Sequence, residues 1–325
     1  FNMNYNFSKS LEIMSATDPY NRANGKNLGT FDLPHQLGSV QFKASYLDTK
    51  TLLLQVGSAA PLNEADTLET CLSKALGCLR GLGIKGEVIV ADDGSGPAVG
   101  ELLRREQERS PFRITHLWHE DAGFRKNVML NKAVAAASTP YLVFIDGDCI
   151  PHRDFLRDHW EHRRSGTLLS GRRVNWSKEI SDAVTLEHVR SGAFERLSLT
   201  ILADGLQARS ANLEDGVRIQ SRLIRRLLTS NRPRILGCNF SVDKELLEKV
   251  NGFNEDYKAP GLGEDSDLAF RLQLTGVNLL TLRNIAILFH LYHPRTVVGE
   301  ANQRLYDAIV AAANPICRNG LRKLA

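Results

Sequence analysis

The sequence contains no apolar run that could cross a bilayer. Its longest runs, 141–145 and 285–289, fall far below the roughly 18 residues a spanning helix needs. Residues 1–10 are polar, which predicts no secretory leader. Cysteine is scarce. Cys71, Cys78, Cys149, Cys238 and Cys317 make an odd set of 5 with no Cys-x-x-Cys pair. That excludes a disulfide framework or a structural zinc site and predicts a reducing, cytoplasmic setting. Excess charge is small too: +4 over 325 residues does not imply a nucleic-acid partner. Repeats and low-complexity linkers are missing. What is present, 42% hydrophobic and 24% charged residues, is the composition of a packed globular protein.

Residues 1–48 are rich in Asn, Ser and Gly without a clear apolar period and are expected to form an N-terminal extension. From residue 51 the pattern becomes regular. Apolar strands are expected at 51–56, 87–91, 112–117 and 141–145, alternating with helices over 67–82, 99–109 and 125–137. Short apolar strands alternating with amphipathic helices predict a parallel, doubly wound sheet. Ligands of such sheets sit beyond the carboxyl ends of the strands. After residue 151 single strands are expected over 168–174, 235–242 and 279–288, and mostly helix over 180–234.

Two strands end in paired acids. Asp146-Gly147-Asp148 follows Tyr-Leu-Val-Phe-Ile. Two carboxylates one residue apart offer hard oxygen ligands to Mg²⁺ or Mn²⁺, and a diphosphate leaving group needs such an ion against its developing charge. Asp and Gly are also ordinary turn residues, so the motif by itself leaves both readings open. Asp92-Asp93-Gly94-Ser95 ends an earlier strand in the same way. A carboxylate there can accept hydrogen bonds from a base N–H or a ribose hydroxyl, or cap a helix. Gly263-Glu264-Asp265-Ser266-Asp267 opens a later helix. A carboxylate on such a turn can take the proton of an attacking sugar hydroxyl, although acids also favour a helix N-terminus for its dipole. His290-Leu291-Tyr292-His293 follows an apolar strand and offers imidazole to the same ion.

In this order the segments resemble the family 2 glycosyltransferases with the GT-A fold, over roughly 51–295. Ala60-Pro61-Leu62-Asn63-Glu64 is similar to the segment after that family's first strand, and Gly123-Phe124-Arg125-Lys126-Asn127, running on to Asn131, to its phosphate-facing helix. Gly237-Cys238-Asn239-Phe240-Ser241, Asn251-Gly252-Phe253 and Gly263 to Leu272 resemble the catalytic segment of β-1,4-galactosyltransferases and of bacterial chondroitin polymerase. The resemblance implies a mostly parallel, Rossmann-like sheet flanked by helices in a single catalytic domain. Residues 49–175 form its nucleotide-sugar half and 176–300 its acceptor half, before a helical tail at 301–325. It implies a donor site of Pro61, Asn63, Glu64, Asp92, Asp93, Arg125, Lys126, Asn131, Asp146 and Gly147. It implies Asp265 as base, with Glu264, Asp267, Gly237 and Asn239 at the acceptor, and Mn²⁺ or Mg²⁺ on Asp148 with Asp146 and a histidine. His290 and His293 are both eligible, His293 preferred. The implied activity is inverting transfer of a hexosyl or N-acetylhexosaminyl group, from a nucleotide donor such as a UDP-sugar, to a glycan or lipid-linked glycan in polysaccharide or lipopolysaccharide assembly. One departure matters: galactosyltransferases carry a Trp three residues before the Glu, where this chain has Gly261, so the acceptor is not carried over.

A nucleotidyltransferase would also use strand-end aspartates, but it needs a basic loop after its first strand, and residues 57–65 contain no Lys or Arg. A non-catalytic sugar-nucleotide-binding protein would have lost the base or the metal acids. The segment 209–234 interleaves seven Arg residues with Leu, Ile and Val. It is expected to be a basic amphipathic helix, with a solvated Arg face or a seat at the inner face of an anionic membrane.

Overall fold

The computed structural model describes residues 28–32, 39–43, 49–57, 64–83, 85–195, 199–207, 209–228, 234–259, 264–293 and 300–324. The chain runs through β1 Leu28–Asp32, β2 Ser39–Lys43, β3 Thr49–Gly57, α1 Glu64–Leu82, β4 Lys85–Asp93, α2 Pro97–Arg109, β5 Arg113–Trp118, α3 Lys126–Ala136, β6 Tyr141–Asp146 and β7 Cys149–Pro151. It continues with α4 Phe155–His162, β8 Thr167–Ser170, β9 Arg172–Asn175, α5 Lys178–Ala183, α6 Leu186–Ser191, α7 Leu199–Leu206 and α8 Arg222–Leu228. The last elements are β10 Phe240–Asp243, α9 Lys244–Lys249, α10 Glu264–Leu274, β11 Asn278–Thr281, β12 Ile287–His290 and α11 Glu300–Ala312.

A seven-stranded sheet in the order β11-β8-β10-β6-β3-β4-β5 carries the fold. Only β10 runs against its neighbours within it. Its central strand β6 reads as an unbroken apolar run because both of its faces are covered. Along β6, Tyr141, Val143 and Ile145 pack with residues of α1, α2 and α4, whereas Leu142 and Phe144 pack with α3, α9 and α10. On the second face Phe144 stacks on Phe240 at 4.2 Å, with Phe253 edge-on; such pairs contribute about 0.5–1.5 kcal/mol beyond burial. Ladder register aligns the functional ends of the strands: Gly57 pairs Asp93, Gln55 pairs Asp146, and Asp92 pairs Trp118. Both acidic turns therefore leave the same edge of the sheet.

Where single strands were expected over 168–174 and 279–288, the chain breaks twice and changes sheet. β8 and β11 belong to the large sheet, while β9 and β12 join β7 in a three-stranded one. Gly171 marks the first break: a Cβ there would lie 2.4 Å from Ala286 O and from the Asn239 amide. Asn284 marks the second, with φ 62° and an amide that donates to the carbonyls of Glu214 and Val217.

The basic segment 209–234 is not one helix. Leu213–Gly216 is a 3₁₀ turn, and among the described residues of the segment only α8 is α-helical. Arg218 is drawn inward to Asp158, with Nη2–Oδ1 at 2.7 Å. Leu223, Ile224, Leu227 and Leu228 of α8 are exposed. The tail is likewise only partly helical: after α11 its amides and carbonyls are tied to Asn251, from Arg322 N and to Cys317 O and Arg322 O. Among the described residues no helix is long and apolar enough to cross a membrane.

Candidate active site

β6 delivers Asp146 to the edge of the large sheet, and β7 begins after Gly147 and Asp148. β12 pairs with β7 so that His290 lies opposite Cys149, and Leu291 N donates to Asp148 O at 3.0 Å. The small sheet thus sets two imidazoles against one carboxylate. Asp148 Oδ2 is 3.4 Å from His290 Nε2 and 3.5 Å from His293 Nε2. One ligand atom from each of the three residues lies within 4.8 Å of the others, close enough for one divalent ion to reach all three. Burial would raise the Asp148 carboxyl, but the His290 hydrogen bond, both imidazoles and the Cys149 thiol bring it down to about 2. It is thus ionised and ready to ligate.

Asp146 is not part of this triad. It faces Lys126 Nζ at 3.8 Å. Burial, opposed by Lys126 and Arg173 and reinforced by Asp148 and Asp265, holds its carboxyl above the ordinary value. Arg173, which sequence reasoning missed, sits beside Cys238 with Nη1–Sγ at 3.5 Å. It follows the Gly171 break, and no motif in the sequence marked it.

Asp265 lies in the first turn of α10, and Gly237 N donates to its Oδ2 at 2.8 Å. A Cβ on Gly237 would stand 2.3 Å from Oδ1 and 2.4 Å from Oδ2, so the close approach requires glycine. Antiparallel pairing of β10 with β6 sets Phe240 opposite Phe144. Lys126, Asp148 and Asp265 all act electrostatically on the Asp146 carboxyl, so they gather at one edge.

The first acidic turn is built differently. Asp92 is fully buried, accepting from Ser95 N at 2.8 Å and meeting His116 Nε2 at 2.8 Å. Asp93 meets His119 Nε2 at 2.6 Å and accepts from Arg125 N at 2.7 Å. Asp93 thereby pins the start of α3. Arg125 itself donates to Glu120 O through Nη2, and its buried Nε has no partner among the described residues. Trp118, also missed, stands 53% exposed at the end of β5 with Nε1 donating to Ser95 O. Its place at a strand end on the ligand side of the sheet was the available signal.

Three expected ligand residues are drawn into the core instead. Asn131 donates to Phe253 O and Glu255 Oε1 and accepts from Phe253 N. Asn239 meets His159 Nε2 and donates to Arg172 O and Ala286 O. Asp267 is fully buried against Arg271, whose guanidinium also donates to Val250 O and Gly252 O. All three are buried; Asn131 and Asn239 join segments distant in sequence, and Asp267 does so through Arg271. Pro61 and Asn63, and the side chains of Glu64 and Glu264, lie outside the described residues.

The family model for glycosyl transferase family 2 matches residues 62–250, and a second, described as the N-terminal domain of galactosyltransferase, matches 227–294. Among solved structures the chain is similar to the mannosyltransferase PcManGT from Pyrobaculum calidifontis in complex with GDP-Man and Mn²⁺. That match has 20% identity and a TM-score of 0.47, and covers 80% of this chain and 60% of that one. It is also similar to Staphylococcus aureus TarS 1–349, at 12% identity and a TM-score of 0.48, over 82% of this chain and 65% of that one. The chain thus spans less than two thirds of the length of either. Comparison with curated proteins returned no match. Since the first family model runs over more than half of the chain, the protein belongs to glycosyl transferase family 2.

Proposed function

We propose that the protein is an inverting, metal-assisted transferase that moves a hexosyl or N-acetylhexosaminyl group from a nucleotide-diphosphate sugar, a UDP-sugar first, to a hydroxyl of a glycan or lipid-linked glycan. The observation that carries this is the convergence of Asp148, His290 and His293 beside an Asp265 that its own backbone holds at Gly237. Two imidazoles and one carboxylate fit Mn²⁺ better than Mg²⁺, which is held through oxygen. When bound, the ion would stabilise charge on the departing diphosphate.

The protein's own part follows from the geometry. Lys126, and Arg125 through its unpartnered Nε, suit the phosphates. The exposed indole of Trp118 offers a stacking face for the base. Gly237 N–H engages Asp265 Oδ2, which leaves Oδ1 to take the acceptor proton. The acceptor oxygen bonds to the anomeric carbon as the bond from that carbon to the diphosphate oxygen breaks on the opposite face. One displacement of this kind inverts the centre. The exposed apolar side of α8, with Arg222 and Arg226 beside it, supports peripheral contact with an anionic membrane carrying a lipid-linked acceptor. Flotation with anionic liposomes checks that point, and protein left at the bottom of the gradient removes it.

The main test is a screen of UDP-sugars, GDP-mannose and dTDP-rhamnose for metal-dependent nucleoside diphosphate release, with product anomer read by NMR. Release from one donor that requires Mn²⁺ and Asp148, with inverted product, is the expected result. No turnover on any donor, together with no metal-dependent nucleotide binding by calorimetry, would overturn the reading.

A further inference from the structure

A second concave surface lies away from the site above. It is a groove of about 700 Å³ lined by α1, α2, the start of α4 and α6, within the range of small-molecule sites. Its floor is the face of α1 that carries Ser73, Gly77 and Gly81. A Cβ on either glycine would meet nothing within 4 Å, so the floor is open. Its walls carry Lys74, Arg80, Arg109, Arg153, Arg157 and Arg190 against only Glu106 and Asp154. That local excess equals the +4 of the whole 325-residue chain.

Internal pairing neutralises only part of it. Glu195, behind the wall, engages Lys74 and Arg153, Asp154 engages Arg157 at 2.9 Å, and Glu106 is 3.9 Å from Arg109. Arg80 and Arg190 have no acid partner among the described residues. A low-dielectric cleft lined by one sign of charge concentrates counter-ions of the other, and guanidinium forks match phosphate oxygens. Phosphates supply the most negative charge per volume. β7, about 10 Å of extended chain, separates the two sites: Asp148 immediately precedes it and Arg153 follows two residues after its end.

We propose that this groove is a second anion-binding site, for a small polyphosphate-bearing molecule that binds without the metal triad. The test is titration of tripolyphosphate into the full-length protein in EDTA at low salt. Saturable binding is expected, equal in wild type and Asp148→Ala. The paired charge reversals Arg80→Glu and Arg190→Glu should weaken it at least about tenfold, as should added salt. Gly77→Leu fills the floor without altering charge or helix-forming tendency for the worse, and should weaken it as well. It decides the matter should circular dichroism show the double variant unfolded. No saturable binding in wild type, equal affinity in the groove variants, or loss in Asp148→Ala would each overturn the proposal.

Discussion

The acidic turns at Asp92-Asp93 and at Asp146-Gly147-Asp148 look alike in sequence, and register brings them to one edge of one sheet. They do opposite work. In the first, every carboxylate is buried and engaged by His116, Ser95, His119 or the Arg125 amide. In the second, the carboxylates face Lys126 and the two histidines across a partly open edge. The same division runs through the acids of α10: Asp267 is sealed against Arg271, and Asp265, among the described residues, accepts from the Gly237 amide. An acid engaged by its own protein holds the fold. An acid whose neighbours leave it capacity is available for chemistry.

Mutations sharpen this division. The largest effect is expected from Asp265→Asn, which should lower kcat by about a thousandfold, or about 4 kcal/mol, in the range of a lost general base. Its nucleotide affinity by calorimetry should stay unchanged; parallel loss of affinity would move Asp265 out of the base role. Asp267→Ala should cost about 3–5 kcal/mol of folding stability by leaving Arg271 buried and alone, as urea denaturation would measure. Asp148→Ala should weaken Mn²⁺-dependent nucleotide binding about a hundredfold, with melting temperature barely changed; a large loss of stability would put it with the engaged acids. The smallest effect is expected at Asp92→Asn, about 1–2 kcal/mol. Despite burial, the hydrogen bonds from His116 and Ser95 hold Asp92 below the ordinary carboxylate value. Its contribution is therefore complete above about pH 4 and lost as pH falls through the lowered folded value. The variant's stability should fall less steeply than wild type below about pH 5.

The alternation of β4, α2, β5, α3 and β6 was legible because each strand is an apolar run between turn residues. The cluster of Asp148 with the histidines was legible because aspartate and histidine at strand ends are rare company. Both histidines converge on Asp148, where sequence reasoning preferred one. Less legible were Asn131, Asn239 and Asp267, since an amide or carboxylate reads the same whether it meets a sugar or a partner inside the protein. Asn239 finds its partners at His159, Arg172 and Ala286, none near it in sequence. The strand breaks at Gly171 and Asn284 were hidden for a related reason. They exist because two remote segments cross there, and neither segment alone records the crossing.

The small sheet joins strands from 149–151, 172–175 and 287–290, and this bears on the protein's synthesis. A ribosome that has just released Asp148 still holds back nearly half the chain before His290. Since domains are made from the N-terminus at about 5–20 residues per second, both acidic turns emerge well before either imidazole. The nascent chain therefore cannot bring His290 and His293 to Asp148 until β12 has been made and has paired with β7.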